Sequence, residues 1–310
     1  MTDSIIDVQN LTKRYGQTMA VDDVSLRVEA GEIFGILGPN GAGKTTTLEM
    51  IEGLRQPDGG TITVAGFDVV RDAENVKRRI GIQLQSTSLF DHLTVGELVS
   101  LFAELYGADG SPGRTQDLLG MVSLTEKADD HAQTLSGGQQ QRLSIALALV
   151  NDPEIVFLDE PTTGLDPQAR RNLWDLIRSI RDQGKTIVLT THYMEEAELL
   201  CDRIAVMDTG TIILCDTPDN LIATLEATGS ISADFTGVQP DEALFAQLPG
   251  VQNASLSGHR LTLQTSNLNQ TLIAFIETTR AHRMEFDQLI TTRPTLEDVF
   301  LHYTGKALRE

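Results

Sequence analysis

The chain is poor in cysteine, in basic residues and in long apolar runs. Its two cysteines in 310 residues, Cys201 and Cys215, stand at no metal-binding spacing, which removes a disulfide framework and a cysteine–zinc site as organising devices. No stretch approaches the ~18 continuous apolar residues of a membrane span. The opening Met1-Thr2-Asp3-Ser4 has neither the charged region nor the apolar core of a secretory signal. Lys and Arg number 24 against 44 Asp and Glu, a net charge of −20. That balance disfavours broad nucleic-acid binding through a basic face. It also weakens direct adhesion to anionic lipid, while leaving docking to a membrane protein open. The expectation is a cytosolic protein with free thiols. A hydrophobic content of 40% suffices for a real core, and the length allows a large domain with a small one, or two domains.

The stretch around which the rest is organised is Gly38-Pro39-Asn40-Gly41-Ala42-Gly43-Lys44-Thr45, followed by Thr46. It fits G-x-x-x-x-G-K-[ST] at every fixed position. Ile33–Leu37 before it predicts a buried strand, and Thr45–Ile51 after it predicts a helix start, which is the context this motif requires. Glycines let the backbone curl so that several N–H groups point at phosphate oxygens, and the helix end adds a favourable dipole. Lys44 would reach the β- and γ-phosphates, and the Thr45 hydroxyl would ligate Mg²⁺.

Period two in residues 24–28 predicts strands with one buried face. With Thr61–Val64, after the turn at 57–60, they predict an antiparallel sheet beside the phosphate-loop core, with Tyr15 in its first loop. Ile80–Gln85 predicts a strand ending in glutamine. A helical region spans about 86–150, with a capping box at Thr94 and Glu97 and a helix over Gln139–Val150. Ile155–Leu158 and Ile187–Thr190 read as buried strands, 172–181 as a helix carrying Trp174, and 204–214 as a hairpin. Strands alternating with helices predict a parallel, helix-covered sheet. A boundary at Thr228-Gly229-Ser230 separates residues 1–227 from 228–310. The second part predicts strands at 231–235, 251–257, 260–264 and 284–290 with helices at 241–248 and 268–282. That βαββαβ order is the ferredoxin-like plan. A last helix follows Thr295 and closes at Gly305. No catalytic constellation occurs in this part.

Two further motifs carry chemistry. Asp159 closes an apolar strand and Glu160 follows it; the first can hold a Mg²⁺ shell and the second can orient or deprotonate a water. Leu135-Ser136-Gly137-Gly138-Gln139 opens a helix with a hydroxyl, free N–H groups and a dipole end. This second phosphate-binding device need not face the first within one chain. Two chains arranged head to tail could each offer the serine end to the other's nucleotide.

With these motifs in this order, the chain resembles the ATPase subunits of ABC transporters over roughly residues 5–220. Residues 38–46 match Walker A, Gln85 the Q-loop, 135–142 the signature, 155–160 Walker B, 164–166 the D-loop and His192 the switch histidine, and no motif position departs. The resemblance implies an α/β P-loop NTPase core with antiparallel β and helical subdomains, followed here by the small α+β ferredoxin-like domain. It implies that Tyr15 stacks on adenine and that residues 38–46 hold the phosphates. Thr45 and Gln85 would ligate Mg²⁺ with Asp159 in support. Glu160 would activate water, with Lys44 and His192 on the γ-phosphate. Leu135–Gln139 would contact the nucleotide of the opposite subunit, and Asp166 would link the two sites. The stretch 191–198 and the closing Pro294–Leu301 resemble bacterial exporters of the daunorubicin-resistance type. This implies a homodimer on ATP binding, peripherally bound to separate permease subunits at the cytoplasmic face of the membrane. An importer ATPase is the alternative within transport. A soluble ABC ATPase of translation or repair is the alternative outside it; such members carry two nucleotide domains or long coiled coils, and neither occurs here.

Overall fold

The structure, a computed structural model, describes residues 4–83, 92–225, 229–237 and 239–305. The chain forms two compact units that part between Pro218 and Asp219.

In the first unit, β1 (Ser4–Tyr15) and β2 (Thr18–Glu29) form a long hairpin. β3 (Ile33–Leu37) leads into α1 (Lys44–Ile51), and β4 (Gly59–Val64) and β5 (Phe67–Asp68) follow. α2 (Ala73–Lys77) precedes β6 (Ile80–Gln83); α3 (Val95–Leu105), α4 (Pro112–Met121) and α5 (Gly137–Ala148) make the helical region. Then come β7 (Ile155–Asp159), α6 (Pro167–Asp182), β8 (Thr186–Thr191), α7 (Met194–Leu200) and the hairpin β9 (Arg203–Asp208) and β10 (Thr211–Asp216).

Two sheets result. One is antiparallel, in the order β2-β1-β4-β5; the other runs β10-β9-β3-β8-β7-β6 and is parallel except for β10. Their burial differs as their sequences do. Every residue of β3, β7 and β8 is buried, as continuous apolar strands covered on both faces must be. β1 and β2 alternate, with Ile6, Val8, Val24, Leu26 and Val28 inward. The shared core joins these residues to Phe34, Phe157 and Met207 of the parallel sheet and to Leu48 and Met50 of α1.

The short runs read in residues 5–30 are two 12-residue strands. Asn10 and Asp23 sit at positive φ, 51° and 55°, and the register shifts between Val8 and Leu11, so a bulge keeps both apolar sets on one face. Tyr15 accordingly closes β1, paired with Thr18, rather than lying in a loop. α5 begins two residues before the expected Gln139. Of the predicted strand 80–85, residues 80–83 are strand, and Gln85 lies outside the described residues.

α8 (Pro218–Ala223) leads to the second unit. There β11 (Gly229–Thr236), α9 (Glu242–Ala246), β12 (Val251–Ser257), β13 (Arg260–Thr265), α10 (Leu268–Ala281) and β14 (Glu285–Thr292) follow the βαββαβ plan. The sheet is antiparallel in the order β12-β13-β11-β14, the ferredoxin-like arrangement. Phe235, Phe245, Phe275 and Phe286 form its aromatic core, with ring centroids 5.3–6.1 Å apart, in the tilted and edge-on geometries that suit ring quadrupoles. α11 (Leu296–Thr304) starts where Asp298 accepts hydrogen bonds from the Thr295 N–H and hydroxyl and ends at Gly305, φ 67°.

Candidate nucleotide site

Two glycines fix the phosphate loop in place. A Cβ at Gly38 would stand 2.2 Å from the Met207 carbonyl oxygen, and one at Gly43 (φ 103°) would stand 2.4 Å from that of Ala20. Both neighbours are backbone and cannot yield, so only glycine fits. Gly43 is also the N-cap of α1, so the loop delivers Lys44 and Thr45 onto the helix start.

Lys44 curls back over the loop. Its Nζ donates to the carbonyls of Gly38 at 2.9 Å and Pro39 at 3.2 Å and stands 3.3 Å from Glu160 Oε1. The other Glu160 oxygen, Oε2, is 3.2 Å from His192 Nδ1. Thr45 Oγ1 lies 3.3 Å from both Asp159 oxygens. Tyr15, Ala20, Asn40, Gly41, Gly43, Lys44, Thr45, Thr46 and Glu160 line a cavity of about 330 Å³. The Tyr15 ring is 40% exposed beside this cavity, with Arg55 5.4 Å from its centroid.

The sheet order places the site. β8 lies between β3 and β7, and in their parallel register Asp159 stands beside Thr190. Three strand ends therefore deliver the loop, the acidic pair and His192 to one edge, the usual ligand position in an open α/β sheet. Thr190 carries two duties that sequence reading missed. Its hydroxyl donates to Asp159 Oδ1, and the Glu160 N–H donates to that hydroxyl at 3.0 Å. The one signal was a threonine ending an apolar run just before His192. Glu160 itself has φ 46°, a left-handed conformation uncommon for a side-chain-bearing residue and typical of strained functional positions.

Burial pushes the Lys44 ammonium below its ordinary pKa, opposed by Glu160 and then Asp159. Burial raises Asp159, against the hydroxyl of Thr190. For Glu160 burial acts upward too, but Lys44 and His192 outweigh it and the carboxyl stays below the usual range. It is thus held in its ionised form, able to accept hydrogen bonds.

Glu52, at the C-terminal end of α1, is 4% exposed. Burial first, then the charges of Asp159 and Glu49, push it up to about 8 from 4.5. The folded chain then holds a proton that the unfolded chain releases, so stability falls as pH rises between about 4.5 and about 8. Glu52→Gln removes that loss. The variant is expected to exceed wild type by at least about 1 kcal/mol near pH 8.5, each pKa unit being about 1.4 kcal/mol. The gap should close toward pH 5, as a Tm series would register; parallel curves would remove Glu52 as the titrating group.

The predicted residues at the starts of α5 and α6 are not among those that line the cavity. Ser136 caps α5 in a capping box, with Gln139 Oε1 accepting from the Ser136 N–H at 2.9 Å. Ser136 and Gly137 are exposed and Leu135 is buried. Asp166 caps α6, accepting from the Ala169 N–H at 2.8 Å. Among the described residues no group of three or more His, Cys, Asp or Glu could hold a metal ion.

Comparison with known proteins shows the family and the fold. The family model described as ABC transporter matches residues 21–163. The Nod factor export ATP-binding protein I of Ralstonia nicotianae is 40% identical, over 99% of this chain and 95% of that protein. The linearmycin resistance ATP-binding protein LnrL of Bacillus subtilis is 34% identical, over 99% and 100%. The daunorubicin resistance ATP-binding protein DrrA3 of Streptomyces coeruleorubidus is 39% identical, over 98% and 97%. Among solved structures, an ATP-binding subunit of an ABC transporter superposes with a TM-score of 0.64 at 28% identity, covering 71% of this chain and 93% of that one. The dimeric cassette MJ0796 bound to ADP and Pi superposes at 0.62 and 31%, covering 68% and 98%. The chain belongs to the ATP-binding proteins of ABC transporters, ATPases coupled to transport.

Proposed function

We propose that this chain is the ATPase subunit of an exporter, acting as a pair of copies on separate permease subunits at the cytoplasmic face of the cell membrane. The observation that carries the catalytic part is the convergence of Lys44, Glu160 and His192 within 3.3 Å contacts beside the phosphate-loop cavity. Relatives aligned over nearly the whole chain are named for export or resistance, which favours export over import. Among the described residues no helix is long and apolar enough to cross a membrane; in this reading the transport path belongs to the permease subunits.

In this reading the loop N–H groups and Lys44 bind the phosphates, and Tyr15 stacks on adenine. The hydroxyl of Thr45 and the carboxylate of Asp159 are hard oxygen donors that fit Mg²⁺. Mg²⁺ bound there would neutralise phosphate charge during phosphoryl transfer. Glu160 orients the attacking water and takes its proton, and His192 holds the γ-phosphate side of the site. Exposed Ser136 and Gly137 meet the nucleotide of the second copy, in keeping with their not lining this chain's own cavity.

The second unit offers no catalytic constellation among its described residues. It is proposed to hold the paired subunits, or their grip on the permease, through the ATP cycle by keeping the local concentration high. The test is vesicles carrying the chain together with a candidate permease. ATP-dependent efflux of a hydrophobic substrate is expected, with loss of efflux but retained ATP binding in a chain ending at Ala227. Uptake instead of efflux would overturn the direction. Loss of ATP binding in the folded, shortened chain would make the second unit part of the catalytic unit.

A further inference from the structure

Glu196, the most deeply buried acid among the described residues, has no part in the ATPase mechanism given above. Glu196 on α7 is fully buried, four residues after His192 in the chain. Its Oε1 accepts from Nε1 of Trp174 on α6 at 2.9 Å, and Trp174 is the only tryptophan in the chain. One turn earlier on α6, the Arg170 guanidinium lies 4.1 Å from the ring centroid of Tyr193, a cation–π distance. Tyr193 follows His192 directly, their rings 4.2 Å apart, and its N–H donates to Thr191 Oγ1 at 2.9 Å. Two ties, spaced one turn apart, thus bind α6 to the segment that carries His192.

The start of α6 is where such a tie would matter. Asp166 caps it, and a Cβ at Gly138 of the α5 start would stand 3.5 Å from the Ala169 side chain. The ends proposed to meet a second copy therefore lie on, or against, the same helix. Glu196 Oε2, Arg170 Nε and Thr162 Oγ1 are buried and make no well-formed hydrogen bond among the described residues, although the Thr162 hydroxyl and the Arg170 charge stand near enough to favour the Glu196 carboxylate. An unsatisfied buried group is costly where it merely fills space. Burial also keeps the Glu196 carboxyl above the usual carboxylate range, against the Thr191 hydroxyl and the Trp174 N–H, so a neutral side chain of the same shape suits the position.

We propose that Glu196 is a positioning residue for ATP hydrolysis: through Trp174 it fixes the His192 segment to α6, so that His192 keeps its place beside Glu160 only while α6 is correctly set. This rests on the catalytic reading of His192 given above. The full-length chain is assayed for ATP turnover and for Tm. Trp174→Phe and Glu196→Ala are each expected to lower kcat about ten- to a hundredfold, as misplacement by about 1 Å does, with KM within a few-fold of wild type. Glu196→Gln should recover most of the loss, because its amide oxygen still accepts from Trp174. Trp174→Phe keeps the bulk of the ring and so gives a reading even if Glu196→Ala fails to fold. In a His192→Ala background neither substitution should cost anything further. Equal losses in both backgrounds, or a Glu196→Gln loss as large as that of Glu196→Ala, would overturn the proposal while leaving His192 in its role. Wild-type turnover in His192→Ala alone would remove that role and the proposal with it.

Discussion

Replacing Glu160 by glutamine is expected to cut ATP turnover about 10²- to 10⁴-fold, the usual worth of a positioned general base, while nucleotide binding survives. Glutamine keeps the shape and can still take a hydrogen bond, but it cannot accept a proton. It also ends the ion pair that draws Lys44 Nζ to within 3.3 Å of Glu160, freeing the ammonium for the phosphates. Binding should therefore be at least as tight as in wild type. With hydrolysis blocked, the ATP-bound pair should accumulate, seen as an earlier gel-filtration peak with ATP than without. Turnover within tenfold of wild type would remove Glu160 as the base.

The second large effect belongs to Lys44→Ala. Lys44 is 4% exposed and contacts two loop carbonyls as well as Glu160. Alanine removes the cation aimed at the phosphates, and a charged hydrogen bond is worth about 1.5–3 kcal/mol. It also leaves the Glu160 carboxylate, 8% exposed in its side chain, without its main counter-charge. Burial then acts on Glu160 with less opposition, raising its pKa relative to wild type. The expectation is roughly a 10²-fold loss of ATP affinity with turnover lost besides, by titration calorimetry on protein checked for folding by circular dichroism. Unchanged affinity would sink the phosphate role of Lys44.

The loop, the acidic pair and the βαββαβ order were legible because each is a local pattern. A glycine loop between an apolar strand and a helix, or alternation broken by turns, is read within some ten residues. What escaped depends on neighbours far away in sequence. Thr190 partners Asp159 only because β7 and β8 lie in parallel register. Glu52 carries no local signal, yet it is buried at the end of α1 and feels the charge of Asp159. The length of β1 was hidden by Asn10, whose positive φ turns an apparent break into a bulge. Trp174 was placed on a helix and is buried there, but its bond to Glu196 crosses from one helix to another.

The sheet order also bears on how the protein is made. β3 carries the phosphate loop, and its two neighbours are β8 and β9, which begin at Thr186 and Arg203. The carbonyl of Met207 presses against Gly38. A growing chain therefore emerges from the ribosome with a complete loop sequence long before either flank of its strand exists. Pairings this distant in sequence form slowly, and until they form the loop has no wall. ATP chemistry is thereby withheld from the nascent chain until nearly the whole first unit has been synthesised.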